Sequence, residues 1–197
     1  MKTLLNLLLI IWFSACHSQN TVIPIRDYAG QMDSNIYIKD TFNDLDLFQG
    51  EYLYSNNDTI FRINLRKVVE ANMGKYKEDL IIGELEYKIN NVTKINSLAD
   101  FNTNFQFQAW HKIFGSGILE NNEKPECIVC TPNEKRLALS IDDTSYSSRI
   151  YLRRSNVNGN SALIAEKISR GPVGVKSGQI SKVKIIRDGK FIFIKQP

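Results

Sequence analysis

The sequence predicts an all-β domain of eight to ten antiparallel strands in meander order, closed or nearly closed into a barrel, with a two-sheet sandwich as the alternative. Three observations carry that prediction. Apolar and polar residues alternate with a period of two through much of the chain, turn-forming dipeptides separate the alternating runs, and helical periodicity is nearly absent.

The alternating runs begin near Leu45. Phe61, Ile63 and Leu65 alternate with Arg62, Asn64 and Arg66, and Leu85, Tyr87 and Ile89 alternate with Glu84, Glu86 and Lys88. Phe105, Phe107 and Ala109 alternate with Asn104, Gln106 and Gln108, as Leu137, Leu139 and Ile141 do with Arg136, Ala138 and Ser140. Such a strand buries one face and wets the other. Asn90-Asn91 sits between two runs as a tight turn, and Thr131-Pro132-Asn133-Glu134 is placed to close a hairpin between Cys127–Cys130 and the strand from Lys135. Asp188-Gly189 falls between Lys182–Arg187 and Lys190–Lys195, a strong hairpin signal because both turn positions need positive φ. Only Ser161–Ser169, with Ala162, Leu163, Ala165 and Ile168, fits a short helix. A barrel is preferred over a sandwich because closure removes exposed strand edges.

The first residues carry a different signal. Met1-Lys2-Thr3 is a short positive segment, Leu4–Phe13 is apolar apart from Asn6, and Ser14-Ala15 are small. This is the tripartite form of a secretory signal over residues 1–15, and its apolar run is about half of what a helix needs to cross a bilayer. Ser14-Ala15-Cys16 resembles the end of a lipobox, the site read by bacterial lipoprotein signal peptidase, which implies lipid attachment at Cys16. Phe13 departs from the usual Leu of that box. Ordinary secretion, with cleavage near Ala15 or His17, is the alternative. The expected organisation is a signal peptide at 1–15, a lipidated N-terminus and tether at 16–40, and one β-rich domain at 41–197, held in the bacterial cell envelope with its membrane face left open.

The motif Leu45-Asp46-Leu47-Phe48-Gln49-Gly50-Glu51-Tyr52, followed by Glu78-Asp79-Leu80-Ile81-Ile82-Gly83-Glu84-Leu85-Glu86-Tyr87, resembles an uncharacterised family of Bacteroidota lipoproteins. Members of that family carry an L-D-x-F-x-G-x-W/Y opening and an E-D-L-x-G-E-x-x-Y segment behind a signal and a cysteine. Tyr52 stands where Trp is frequent. The resemblance implies a context and no activity. Phe48-x-Gly50-x-Tyr52 is also similar to the Gly-x-Trp start of lipocalin-type barrels, which implies a calycin-like barrel; an ordinary strand-start aromatic is the other reading.

The composition excludes several classes. The chain has 197 residues, 43% hydrophobic and 23% charged, so one packed domain is expected rather than disorder. Three cysteines are too few for a disulfide framework. Residues 16–134 carry 11 basic and 17 acidic side chains, whereas residues 135–197 carry 13 basic and 4 acidic ones. Arg149, Arg153, Arg154, Lys182, Lys184 and Lys190 are therefore candidates for a basic patch that meets anionic lipid or acidic glycan, against the alternative of a solvated face balanced by the acidic half. No nucleic acid is expected, because the stacking-aromatic pattern of single-strand binders is missing.

Candidate chemistry is sparse. Cys127-Ile128-Val129-Cys130 admits a structural disulfide, buried free thiols, or a metal or redox pair; an extended segment would hold the two Cα atoms ~10 Å apart, too far for a disulfide. His111 is the one histidine of the expected domain and reads as a surface residue beside a turn, and Gly115-Ser116-Gly117 lacks the nucleophile-elbow pattern. Glu84 and Glu86 share a strand face that alternation turns toward solvent, and Asp142-Asp143 reads as a turn. No catalytic residue, metal site or cofactor is expected. The chain is read as a non-enzymatic ligand-binding or interaction module. Its partners would be the membrane, an envelope protein, or a small apolar ligand in a cavity lined by Phe61, Tyr87 and Phe107. A polyanion-docking module and an envelope enzyme remain the alternatives.

Overall fold

The computed structural model describes residues 21–28, 30, 34–143, 146–172 and 184–197. Its strands are β1 (Thr21–Pro24), β2 (Ile36–Lys39), β3 (Gly50–Asn56), β4 (Thr59–Asn72), β5 (Lys77–Ile89), β6 (Val92–Asn96), β7 (Ile113–Leu119), β8 (Arg136–Asp142), β9 (Tyr146–Val157), β10 (Asn160–Pro172) and β11 (Gly189–Lys195). Eight of them close a barrel in the order β3-β4-β5-β7-β8-β9-β10-β11, with β11 returning to β3 and every neighbouring pair antiparallel. This is a meander, and the edges it would leave are paired to each other. The expected calycin-like barrel is the observed architecture.

The turns follow from residues that tolerate positive φ. Asn90 and Asn91 have φ of 50° and 61°, and Asn158-Gly159 has 51° and 81°, which matches the twist of a two-residue hairpin. Asn158-Gly159 is a further hairpin signal carried by the sequence itself. Gly83 has a packing reason: a Cβ there would lie 2.5 Å from the Asn64 carbonyl oxygen and 2.6 Å from Leu65 Cδ2. Inward-facing residues build one core, in which Phe61, Ile63, Leu65, Leu85 and Tyr87 meet Leu137, Leu139, Ile150, Leu152, Phe191 and Phe193. A small second cluster of Ala71, Leu80 and Ile82 sits on the outer face of β4 and β5.

Five expectations are corrected. The stretch expected as a tether, 16–40, contains two strands: β1 pairs with β2 and β2 with β5, both in parallel, and Ile36, Tyr37 and Ile38 are buried. The buried Asp79 carboxylate holds this extension by accepting from the Tyr37 hydroxyl (2.6 Å), the Asp40 N–H (3.0 Å) and the Glu70 N–H (2.9 Å). Burial and this bond to Asp79 push the Tyr37 hydroxyl pKa up. Ser161–Ser169 is strand within β10, because β9 and β11 flank it and satisfy its backbone on both sides. Phe105–Ala109 is not a strand; it leads into a 3-10 turn at Gln108–Trp110. Cys127–Cys130 is a turn rather than a hairpin arm, with the Cys130 N–H donating to the Cys127 carbonyl at 3.1 Å. Lys184–Asp188 is irregular, and the Asp188 carboxylate accepts the Ser169 N–H at 3.0 Å instead of closing a hairpin.

Candidate binding surface

The barrel interior is filled with rings. Phe61 stands edge-on to Tyr87, Phe191 and Phe193, with centroids 5.1–5.3 Å apart, and Tyr54 meets Phe191 edge-on at 5.1 Å. Edge-to-face contact at this spacing is the preferred arrangement of aromatic quadrupoles. Of the three residues expected to line a cavity, Phe61 and Tyr87 pack against each other and Phe107 stands outside on the wall, 38% exposed.

One end of the interior is plugged by charge. Lys167 continues the inward parity of Leu163 and Ala165, and its side chain is fully buried. Its ammonium lies 3.0 Å from Asp143 and 3.2 Å from Asp188, and it donates to the Ile186 carbonyl at 3.0 Å and the Ser169 hydroxyl at 3.1 Å. A buried ammonium persists only where partners replace its water. Lys184 and Lys167 beside Asp188, together with the Ser169 hydroxyl, hold that carboxyl down at about 2, against the opposing effect of its partial burial.

The connection from β6 to β7 crosses the outer wall and covers an acidic residue. Glu84 points outward, as its alternation requires, but it is 1% exposed because this segment lies over it. His111, 1% exposed as a residue, places Nδ1 at 2.7 Å from Glu84 Oε1. The Glu84 Oε2 and His111 Nε2 atoms are buried without a hydrogen-bond partner among the described residues. Phe105 packs edge-on against His111 at 4.8 Å. The surface assignments of Glu84, Glu86 and His111 are therefore corrected: parity fixed the face, but not what covers it. Ser116 donates its hydroxyl to Glu78 while His111 binds Glu84, so these two do not form a nucleophile–base pair. Burial pushes the Glu78 pKa up, and the hydrogen bonds from Ser116 and Tyr76 oppose it.

The same segment presents aromatic rings to solvent. Trp110 is 58% exposed and stands 5.5 Å from Phe107 and 6.3 Å from Phe105. The turn is held by Trp110 N–H to the Phe107 carbonyl (3.1 Å) and by the Gln108 amide donating to the Phe105 carbonyl (3.3 Å).

A disulfide joins Cys127 and Cys130, whose Cα atoms are 5.3 Å apart because the segment turns. The loop carrying it is pinned to the wall by Arg136, whose guanidinium donates to the carbonyls of Glu120, Glu123 and Pro125. Between this loop and the strands lies a cleft of about 490 Å³, bordered by Ile128, Val129, Tyr151, Arg153, Ile164 and Lys190. Ile128 and Val129 are exposed.

The five basic candidates among the described residues do not make one uninterrupted patch. Arg149 and Arg153 lie on the outer face of β9, where Arg153 pairs with Glu134 at 3.4 Å. Arg154 has the opposite parity and is exposed. Lys184 bonds to Asp188 at 2.8 Å, Lys190 stands across from Glu166, and Lys182 lies outside the described residues. Ile164, Ile168 and Ile192 interrupt what remains. Cys16 and the signal segment also lie outside the described residues.

Among the described residues, no group of three or more His, Cys, Asp or Glu side chains is placed to hold a metal ion, and no helix is long and apolar enough to cross a membrane. Residues 1–183 match the model of a family described as a family of unknown function (DUF6705). No curated protein and no solved structure matches the chain.

Proposed function

The chain belongs to that family of unknown function, and from this premise we propose that it is a membrane-anchored, non-enzymatic interaction module of the bacterial cell envelope. The observation that carries the reading is the ring-filled interior. With that volume occupied, recognition falls to the outer wall, where Phe107, Trp110, Ile128, Val129 and Ile192 stand exposed. Isolated exposed apolar residues are ordinary, but rings grouped on a braced segment mark a contact surface.

The anchor rests on the tripartite start and on Cys16. Each buried methylene of an acyl chain contributes ~0.8 kcal/mol, so two or three chains hold a domain of this size durably. Thr21 follows Cys16 by five residues, a reach of at most ~18 Å. Its N–H donates to the Asn35 carbonyl, and the Asn35 N–H donates to that of Lys75, so the tether enters the fold at the β4–β5 turn. That end of the barrel faces the bilayer. Metabolic palmitate labelling tests the anchor: wild type takes up label and Cys16→Ser does not. Label retained in Cys16→Ser refutes it.

A further inference from the structure

We propose that the segment between β6 and β7 is a glycan-binding platform on which Trp110 stacks against the apolar face of a neutral pyranose and Phe107, set at 70° to that ring, closes against the edge of the sugar, while neighbouring amide side chains bond its hydroxyls. The sequence of residues 101–110 is Phe-Asn-Thr-Asn-Phe-Gln-Phe-Gln-Ala-Trp: four aromatics and four amides, with no charge, in a chain that is 23% charged. That composition states what kind of ligand fits. One face of a pyranose exposes C–H bonds of slight positive character, which match the negative face of an aromatic ring. Its hydroxyls both donate and accept, and an amide side chain is the group that offers both together. Asn102, Asn104 and Gln106 are exposed beside the rings.

The platform is braced rather than loose. Trp110 rests against Phe105, Phe105 rests against His111, and His111 is locked to the buried Glu84. Rings ordered before binding lose less entropy when a ligand arrives. The charges at its border are already engaged: Lys112 with Asp142, Arg62 and Lys88 with Glu86, and Arg66 with the Phe101 carbonyl and ring. An anionic ligand finds no unengaged cation there among these. A bilayer is the other occupant that aromatic rings suit, but Glu84 lies seven residues along β5 from Lys77, about 23 Å from the tether end of the barrel. This last point rests on the anchor at Cys16; the stacking argument does not.

The test uses the chain purified from bacterial membranes in detergent, carrying Trp12→Phe so that Trp110 is its sole tryptophan whether or not residues 1–15 have been removed. Chitohexaose, cellohexaose and maltohexaose are titrated separately while Trp110 emission is read, with phosphatidylcholine vesicles as a fourth arm. The expected result is a saturable emission change with at least one hexasaccharide, weakened at least tenfold by Phe107→Ala. By calorimetry, Trp110→Ala loses the same binding at least tenfold and Trp110→Phe keeps it within tenfold, which separates stacking from misfolding. No change with any hexasaccharide overturns the proposal. So does a change that Phe107→Ala and Trp110→Ala both leave intact, or one produced by vesicles alone. Failure here together with palmitate at Cys16 would remove the glycan and keep the anchor.

Discussion

His111 Nδ1 lies 2.7 Å from Glu84 Oε1, and neither side chain is more than 1% exposed, so a fully buried bond helps fasten the segment between β6 and β7 to the barrel wall, beside the bonds of Ser97 to Leu85 and of Arg66 to the Phe101 carbonyl. Removing the imidazole strands a carboxylate inside a closed site. His111→Ala is expected to cost about 3–5 kcal/mol by urea unfolding, the usual penalty for breaking a buried pair, and Glu84→Gln about 1–3 kcal/mol. The exposed Trp110 should shift toward the emission of free tryptophan in His111→Ala. A loss under 1 kcal/mol with unchanged emission would show that the bond does not hold the segment.

Lys167 is the second buried charge that the fold depends on. Lys167→Met takes the ammonium away from Asp143 and Asp188 and should cost about 3–5 kcal/mol. Adding Asp143→Leu should recover a large part of that loss, since well-packed apolar groups often replace a buried pair without penalty. Urea unfolding of the two variants decides it; a double variant no more stable than Lys167→Met contradicts the account.

Acid stability should carry the signature of Asp188. Its carboxyl is held at about 2 in the fold, below its ordinary value of 3.8. A lowered folded pKa contributes stability above the unfolded value, and that contribution is lost as pH falls from about 4 to about 2. Asp188→Asn should therefore flatten the decline of stability across that window relative to wild type. Glu78, whose pKa burial raises, acts in the opposite direction, so the comparison must be between these two chains at matched pH. Identical slopes would contradict the role assigned to Asp188.

The Cys127–Cys130 disulfide closes a loop of only four residues. A loop that short removes little unfolded-state entropy, roughly 2 kcal/mol or less. Cys127→Ser with Cys130→Ser should leave the barrel folded and lower unfolding free energy by no more than that. A collapse of near-native β signal in circular dichroism would mean that the loop supports the wall rather than rests on it.

Much of the barrel was legible because inward residues recur every second position. Phe61, Ile63 and Leu65, opposite Leu85 and Tyr87, needed no more than that period. Ser161–Ser169 is harder, since Ala162, Leu163, Ala165 and Ile168 fit one helical stripe but lie on both faces of a strand, and only the flanking strands decide between the two. Lys167 was visible in principle as a charge on the inward parity of Leu163 and Ala165. The short strands Thr21–Pro24 and Ile36–Lys39 carry too few residues to show any period, and their partners are parallel and distant. Glu84 and His111 depart from the expected surface for a different reason. Alternation along one strand says which face a side chain takes, whereas its burial depends on a segment more than ten residues away. Asn104–Ala109 alternates like a strand without being one, because loops and strands can share alternation.

An anchored module has a defined N-terminus, which can be read from the N-terminal peptide of the chain recovered from bacterial membranes. Intact-mass measurement of that peptide should show a chain that starts at Cys16 and carries a diacylglyceryl group on its thiol. A peptide that starts at Met1 or His17, or an unmodified Cys16, would contradict it.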